Sequence, residues 1–206
     1  MSLKKYSTLT ILTYAICYLL PAFFPVSLSL WVTLITYIFG AVFLILIYLK
    51  HGLIGFEKRP ANWKQILLWG IGGIFLAILV QSLAMQLEIA LFGVPEASKN
   101  TEQIISLVKS QPFFILAVTI GGPIMEEFVF RRAIFSSLAS RTPVWFAMCV
   151  SSLLFALMHF DGHLILYAAL GLFFSFLYMR TGRIWTSIIS HVGMNTLVVV
   201  GTLFLT

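Results

Sequence analysis

The chain has 206 residues, of which 60% are hydrophobic and only 10% charged, with a net charge of +6 and a mean hydropathy of +1.02. Soluble domains carry about 25% charged residues, so this composition excludes a soluble globular domain and points to a polytopic membrane protein. The positive balance does not indicate a nucleic-acid partner, because the basic residues fall in short gaps between apolar runs, where they orient helices in a bilayer.

Crossing a bilayer core takes about 20 apolar residues, and seven runs qualify as candidate spans: 8–25, 28–49, 65–87, 112–138, 143–160, 163–179 and 184–205. Lys4 and Lys5 precede the first run as they would in a signal peptide. No small-residue cleavage site follows, so an uncleaved first helix is expected. Pro21 and Pro25 mark a tight turn into the second span. Residues 50–64 form a basic loop in which Gly52, Gly55 and Pro60 oppose a continuous helix. Gly70, Gly72 and Gly73 suit close helix packing in the third span. The polar segment 88–111 is expected to carry a short surface helix around 102–110, with Glu88 at the membrane interface. In the fourth span, Gly121-Gly122-Pro123 predicts a break, with Pro123 opening a new helical piece. Cys17 and Cys149 each lie inside an apolar run and are expected to be buried free thiols.

The expectation is an all-α transmembrane bundle of about seven spans with its N-terminus in the cytoplasm. Of the thirteen lysines and arginines, that orientation puts eleven inside and only Lys99 and Lys109 outside, a strong positive-inside bias. No repeat or linker divides residues 1–206, which read as a single membrane domain. Within it, residues 1–111 are the less characteristic part and 112–206 carry the polar residues.

Few ionisable groups then remain inside spans: Glu126, Glu127, His159 and His191, with Arg131 near an inner end and Asn195 beside His191 in sequence. Charges at membrane depth are costly and mark functional sites by default. At 1.5 Å rise per residue, Glu126 lies roughly 21 Å from the inner loops, His159 roughly 25 Å, His191 roughly 12 Å and Asn195 roughly 18 Å. Three helices can therefore bring these groups together. Glu127 and Arg131 share a helix face as an i, i+4 pair and read as a structural brace. Glu126, with no local partner, reads as the reactive carboxylate. Phe155 is placed to pack beside His159. His191 and Asn195 present two donors suited to a developing oxyanion. Ser151, Ser152, Ser187 and Ser190 have no base at fixed spacing, so activated water explains the chemistry better than a side-chain nucleophile. Taken singly, each polar residue has a plainer reading: Arg131 and Arg132 as snorkelling cations, His159 or His191 with Asn195 as helix glue, and Asp161 and His163 as a polar outer loop.

Glu-Glu-x-x-x-Arg (Glu126, Glu127, Arg131), Phe-x-x-x-His (Phe155, His159) and His-x-x-x-Asn (His191, Asn195), in this order on late helices, resemble the CPBP family of intramembrane endopeptidases, also called the CAAX protease and bacteriocin-processing or Abi family. The resemblance covers about residues 112–205. It implies peptide-bond hydrolysis at the membrane. Glu126 and His159 would hold and activate water, His191 and Asn195 would stabilise the oxyanion, and Glu127 and Arg131 would brace the site. The family has been described as metalloproteases, and Glu126, His159 and His191 could form a Zn²⁺ site of the His₂Glu type. The lack of a His-Glu-x-x-His pair, and Asn195 rather than a further ligand beside His191, favour metal-free catalysis with no cofactor. The partners expected are a peptide or lipidated-peptide substrate and membrane lipids, with no nucleic acid, in a prokaryotic cell membrane. The rival expectations are a non-catalytic binding or immunity protein using the same polar cavity, and a proton-coupled transporter.

Overall fold

The computed structural model describes residues 2–58, 60–93 and 99–205. The described residues contain no strand. Helix α1 (Leu3–Leu19) runs on as a 3₁₀ turn, Leu20–Phe23, and Pro25 precedes α2 (Val26–His51). Proline cannot donate the bond that would continue α1, but its fixed φ suits a helix start. Gly52, at φ 82°, ends α2 in the left-handed region, and a 3₁₀ turn, Gly55–Lys58, follows. Helix α3 (Trp63–Phe92) begins with a capping box. Asn62 accepts from the Gln65 amide at 3.0 Å, and the Gln65 side chain accepts from the Asn62 amide at 3.3 Å, so two otherwise unpaired N–H groups are satisfied. Helix α4 (Lys99–Ser110) buries Ile105 and Val108 against Phe114, Ala117 and Val199.

The fourth hydrophobic run departs from expectation. Residues 114–139, α5, stay helical through Gly121-Gly122-Pro123 instead of breaking there. The backbone widens into π-helix at Ala117–Gly121, returns to α at Gly122–Glu126, and widens again at Glu127–Phe135. A proline ring clashes with the carbonyl four residues back, and the looser π turn just before Pro123 gives that carbonyl room. The glycines serve packing. A Cβ on Gly121 would meet the backbone carbonyl of Tyr37 at 3.0 Å, so α5 and α2 cross here in close contact. Helix α6 (Val144–Leu157) is short, α7 (Leu164–Thr181) ends in a left-handed Gly182, and α8 (Ile184–Leu205) completes the chain.

Among the described residues, five helical stretches, Leu3–Phe23, Val26–His51, Trp63–Phe92, Leu164–Thr181 and Ile184–Phe204, are long and apolar enough to cross a membrane. Of the other two expected spans, α6 has 14 residues, and α5 is a composite of α and π turns. Large apolar side chains such as Phe23, Val26, Phe39, Leu68, Phe75 and Phe92 face outward, as a lipid-facing surface requires. Cys149 is also exposed, which corrects the expectation of two buried thiols; Cys17 is buried.

Helix α3 packs against α7 and α8, α6 lies along α7, and α1 covers α2 and the second π segment of α5. Gly171 lets α6 and α7 approach closely, since a Cβ there would lie 2.8 Å from Ser152 Cβ. The π segment runs through the middle of this bundle, and all its residues except Ile134 are buried.

Candidate active site

Glu127 is fully buried on α5, and Arg131, one turn further on, is also fully buried. Their side chains form an ion pair, Nε to Oε2, at 3.4 Å. The guanidinium lies over the Phe155 ring at 4.4 Å and near Phe174 at 5.5 Å, and donates to the Gly171 carbonyl at 3.4 Å. Aromatic faces stabilise a desolvated guanidinium, so Arg131 neutralises Glu127 while locking α5 to α6 and α7. Its full burial rules out snorkelling. The i, i+4 ion pair expected from the spacing is present.

The other carboxylate oxygen of Glu127 meets the third helix of the site. His191 Nδ1 lies 2.9 Å from Glu127 Oε1, and its opposite nitrogen, Nε2, lies 3.7 Å from Glu126 Oε2. The His191 ring is stacked flat on Phe174, with centroids 4.5 Å apart and planes 18° apart. His191 is thus held by an oxygen on one edge and a ring on one face, and its free edge is directed at Glu126. Glu126 is the more accessible of the two acids, 20% exposed against 0% for Glu127. The local spacing that separates these neighbours into a buried and an open carboxylate is therefore realised.

His159 lies just past the end of α6, in a turn that leads to Phe160 at φ 51°. Its Nδ1 lies 2.9 Å from the Phe155 carbonyl. A carbonyl can only accept, so Nδ1 carries the proton and Nε2 of the neutral ring keeps a lone pair. Phe155 also meets the imidazole edge-on at 4.7 Å, as its i, i+4 placement predicted.

Two cavities adjoin these groups. One, of about 270 Å³, is lined by Glu126, His159 and Asn195 with Tyr14, Tyr18 and Tyr37 from α1 and α2. The second, of about 90 Å³, is lined by His159, His191 and Asn195 with Gln81 and Met85 from α3. His159, Asn195, Val118 and Ile104 border both, so α4 lies across the site through Ile104. His159 and Asn195 thus stand between a cavity that Glu126 lines and one that His191 lines. Among the described residues, no three His, Cys, Asp or Glu side chains are gathered as a metal-ligand set. Glu126, His159 and His191, the residues named for the zinc alternative, are not gathered into such a set. Of the serines considered, Ser151 donates to the Phe130 carbonyl and Ser190 to that of Gly70, so both act as interhelical ties.

Two polar residues behave differently from the sequence reading, and one contact had no sequence reading. Arg132 is not a snorkelling cation. It is fully buried and donates through Nε and Nη2 to both oxygens of Glu57, each at 3.0 Å, and through Nη2 to the Gly52 carbonyl at 2.7 Å. Tyr178 donates to Glu57 at 2.6 Å, and the Arg132 guanidinium lies over Tyr6 at 4.4 Å and Tyr48 at 4.5 Å. Arg131 and Arg132, counted with the inner-side charges, are both buried in the protein; Arg59, counted with them, lies outside the described residues. The signal available for the Arg132 contact was Glu57, an acid in an otherwise basic loop. Glu88, expected only at the membrane interface, is buried within the protein at 4% exposure. It accepts from the Ile165 and Leu166 amides at 2.7 and 3.2 Å and pairs with His163 Nδ1 at 2.7 Å, capping α7 from α3. Finally, Tyr167 stacks on His159, a contact that no spacing rule in the sequence announces.

A family model described as Type II CAAX prenyl endopeptidase Rce1-like matches residues 108–197, a range that contains every candidate site residue. A Bacillus subtilis (strain 168) protein, the candidate membrane peptidase YdiL, is 43% identical over 135 residues, which are 65% of this chain and 55% of that protein. The membrane-embedded CAAX protease MroQ of Staphylococcus aureus (strain USA300) is 33% identical over 186 residues, 83% of this chain and 73% of that protein. The chain thus spans little more than half the length of the Bacillus relative. No solved structure matches it.

Proposed function

Because the chain belongs to the Rce1-like CAAX endopeptidase family, we propose that it is a bacterial, integral multi-pass membrane endopeptidase that cleaves a peptide bond in a membrane-delivered peptide or protein by activated water. The observation that carries this reading is the set of Glu126, His159 and Asn195 around one cavity, with His191 directed at Glu126. Residues 112–206 form the catalytic part of a single domain, and the N-terminus lies in the cytoplasm.

Water held between the Glu126 carboxylate and the His159 Nε2 lone pair loses a proton to Glu126 as its oxygen attacks the scissile carbonyl. The C–N bond then breaks, and the proton passes to the departing amine. Asn195 donates its amide N–H to the oxyanion of the tetrahedral intermediate. His191 already directs Nδ1–H at Glu127, so it donates from Nε2 only when both ring nitrogens carry protons. Asn195 is therefore the donor that needs no charge change, and Glu127 fixes which nitrogen of His191 faces the reaction. Arg131 balances Glu127 so that the second carboxylate does not compete for the proton.

The test uses the purified full chain in detergent or lipid nanodiscs, with labelled peptides, lipidated and unlipidated, beside Glu126→Gln. Cleavage by the wild type that is lost in Glu126→Gln is expected; undiminished cleavage by Glu126→Gln would remove the proposed base.

A further inference from the structure

Taking the catalytic reading of His159 above as its premise, we propose that Tyr167 is a positioning residue for His159, and that the Tyr167–Asp161 hydrogen bond sets the angle at which it holds the imidazole.

The need for such a residue follows from where His159 sits. Helix α6 ends at Leu157, so His159 emerges from a turn and lacks a following helical turn to limit its rotamers. The second torsion of a histidine side chain is broad. The hydrogen bond from Nδ1 to the Phe155 carbonyl pins one atom, but the ring plane can still swing about that contact. A flat neighbour removes this freedom. The Tyr167 ring lies 3.7 Å from that of His159, with the planes only 20° apart, and the edge-on Phe155 ring closes the other approach at 4.7 Å. Together these three contacts define both the position and the plane of the imidazole, and hence the direction of Nε2.

Tyr167 is itself held at both ends. Its hydroxyl donates to Asp161 Oδ2 at 2.8 Å, and Asp161 Oδ1 accepts from the His163 amide at 3.2 Å. Asp161 is two residues from His159, so the loop that carries the imidazole also carries the anchor of the ring that supports it. The backbone under Tyr167 is tied to α3 by Glu88, which holds the Ile165 and Leu166 amides and His163 Nδ1. Tyrosine suits this position because its face packs while its hydroxyl finds a partner. Phenylalanine would keep the face and lose the anchor. Leucine would lose both.

Displacement of a catalytic group by about 1 Å can cost about 10²-fold in rate. For the full chain in nanodiscs, Tyr167→Leu is therefore expected to lower kcat by about 10- to 100-fold with KM little changed. Tyr167→Phe, which keeps the face and loses the anchor, should recover only part of this loss, and Asp161→Ala should match it; wild-type kcat in both would overturn the role of the hydrogen bond. A direct reading of the stack comes from ¹³C-histidine NMR, with the His159 signal assigned by its absence in His159→Gln. That resonance should be shifted upfield by the Tyr167 ring current in the wild type and in Tyr167→Phe, and should move downfield in Tyr167→Leu. A His159 resonance unmoved in Tyr167→Leu would overturn the stack. Unchanged kcat in Tyr167→Leu, with His159→Gln inactive, would overturn the positioning role alone. Undiminished activity in His159→Gln would remove the catalytic premise, and the proposal with it, whatever the resonance does.

Discussion

His191 Nδ1 lies 2.9 Å from Glu127 Oε1, a hydrogen bond that joins α8 to the π segment of α5 and turns the far edge of the imidazole to Glu126. It makes the two neighbouring glutamates unequal. Glu127 is consumed by structure, with His191 on one oxygen and Arg131 near the other, while Glu126 stays open to the cavity.

Glu127→Gln and Glu126→Gln should therefore separate stability from activity. Removing one partner of a buried ion pair costs about 3–5 kcal/mol, and Glu127→Gln leaves Arg131 buried without its carboxylate. Glu126→Gln, at a partly open position, should leave the unfolding transition near that of the wild type while abolishing cleavage. Thermal unfolding in detergent checks this; equal destabilisation by the two changes would contradict the assignment.

The same logic applies to the second buried pair. Arg132→Met or Glu57→Gln alone should each destabilise by about 3–5 kcal/mol, since each strands the other's polar groups. The double variant should lose less than the sum of the two, because residues in one network are not additive. A double-mutant cycle of denaturation midpoints measures the coupling, and strict additivity would mean that the observed contact contributes nothing.

Glu88→Ala removes the cap on α7. Loss of a capping acceptor costs about 0.5–2 kcal/mol, and the effect should be local. Hydrogen exchange should quicken at the Ile165 and Leu166 amides, which Glu88 holds, while the Phe174–Leu177 region keeps its protection.

Gly171→Ala tests the α6–α7 crossing. The added Cβ would lie 2.8 Å from Ser152 Cβ and 2.9 Å from its Cα, neither of which can swing aside as a side-chain tip could. Overpacking of this kind costs about 1–3 kcal/mol. It would also push α6, which carries Phe155, away from Arg131, so turnover should fall together with stability. Assays of kcat beside unfolding midpoints would show whether the two move together.

The sequence by itself determined the helical class, because hydrophobic runs near 20 residues leave a chain few other ways to satisfy its backbone in lipid. It also determined the Glu127–Arg131 and Phe155–His159 pairs, because i, i+4 neighbours meet on any helix whatever surrounds it. What only the tertiary structure decided lies between helices. No local spacing tells Arg132 that its partner is Glu57, Glu88 that it caps α7, or His159 that Tyr167 lies on its face, since each contact depends on which helices pack together and in what rotation. The same holds for the backbone at Gly121-Gly122-Pro123. Locally those residues read as a break, but contact with Tyr37 on one side and a π turn ahead of the proline keep α5 continuous. That continuity carries Glu126 and Glu127 into the bundle together, where His191 can reach both.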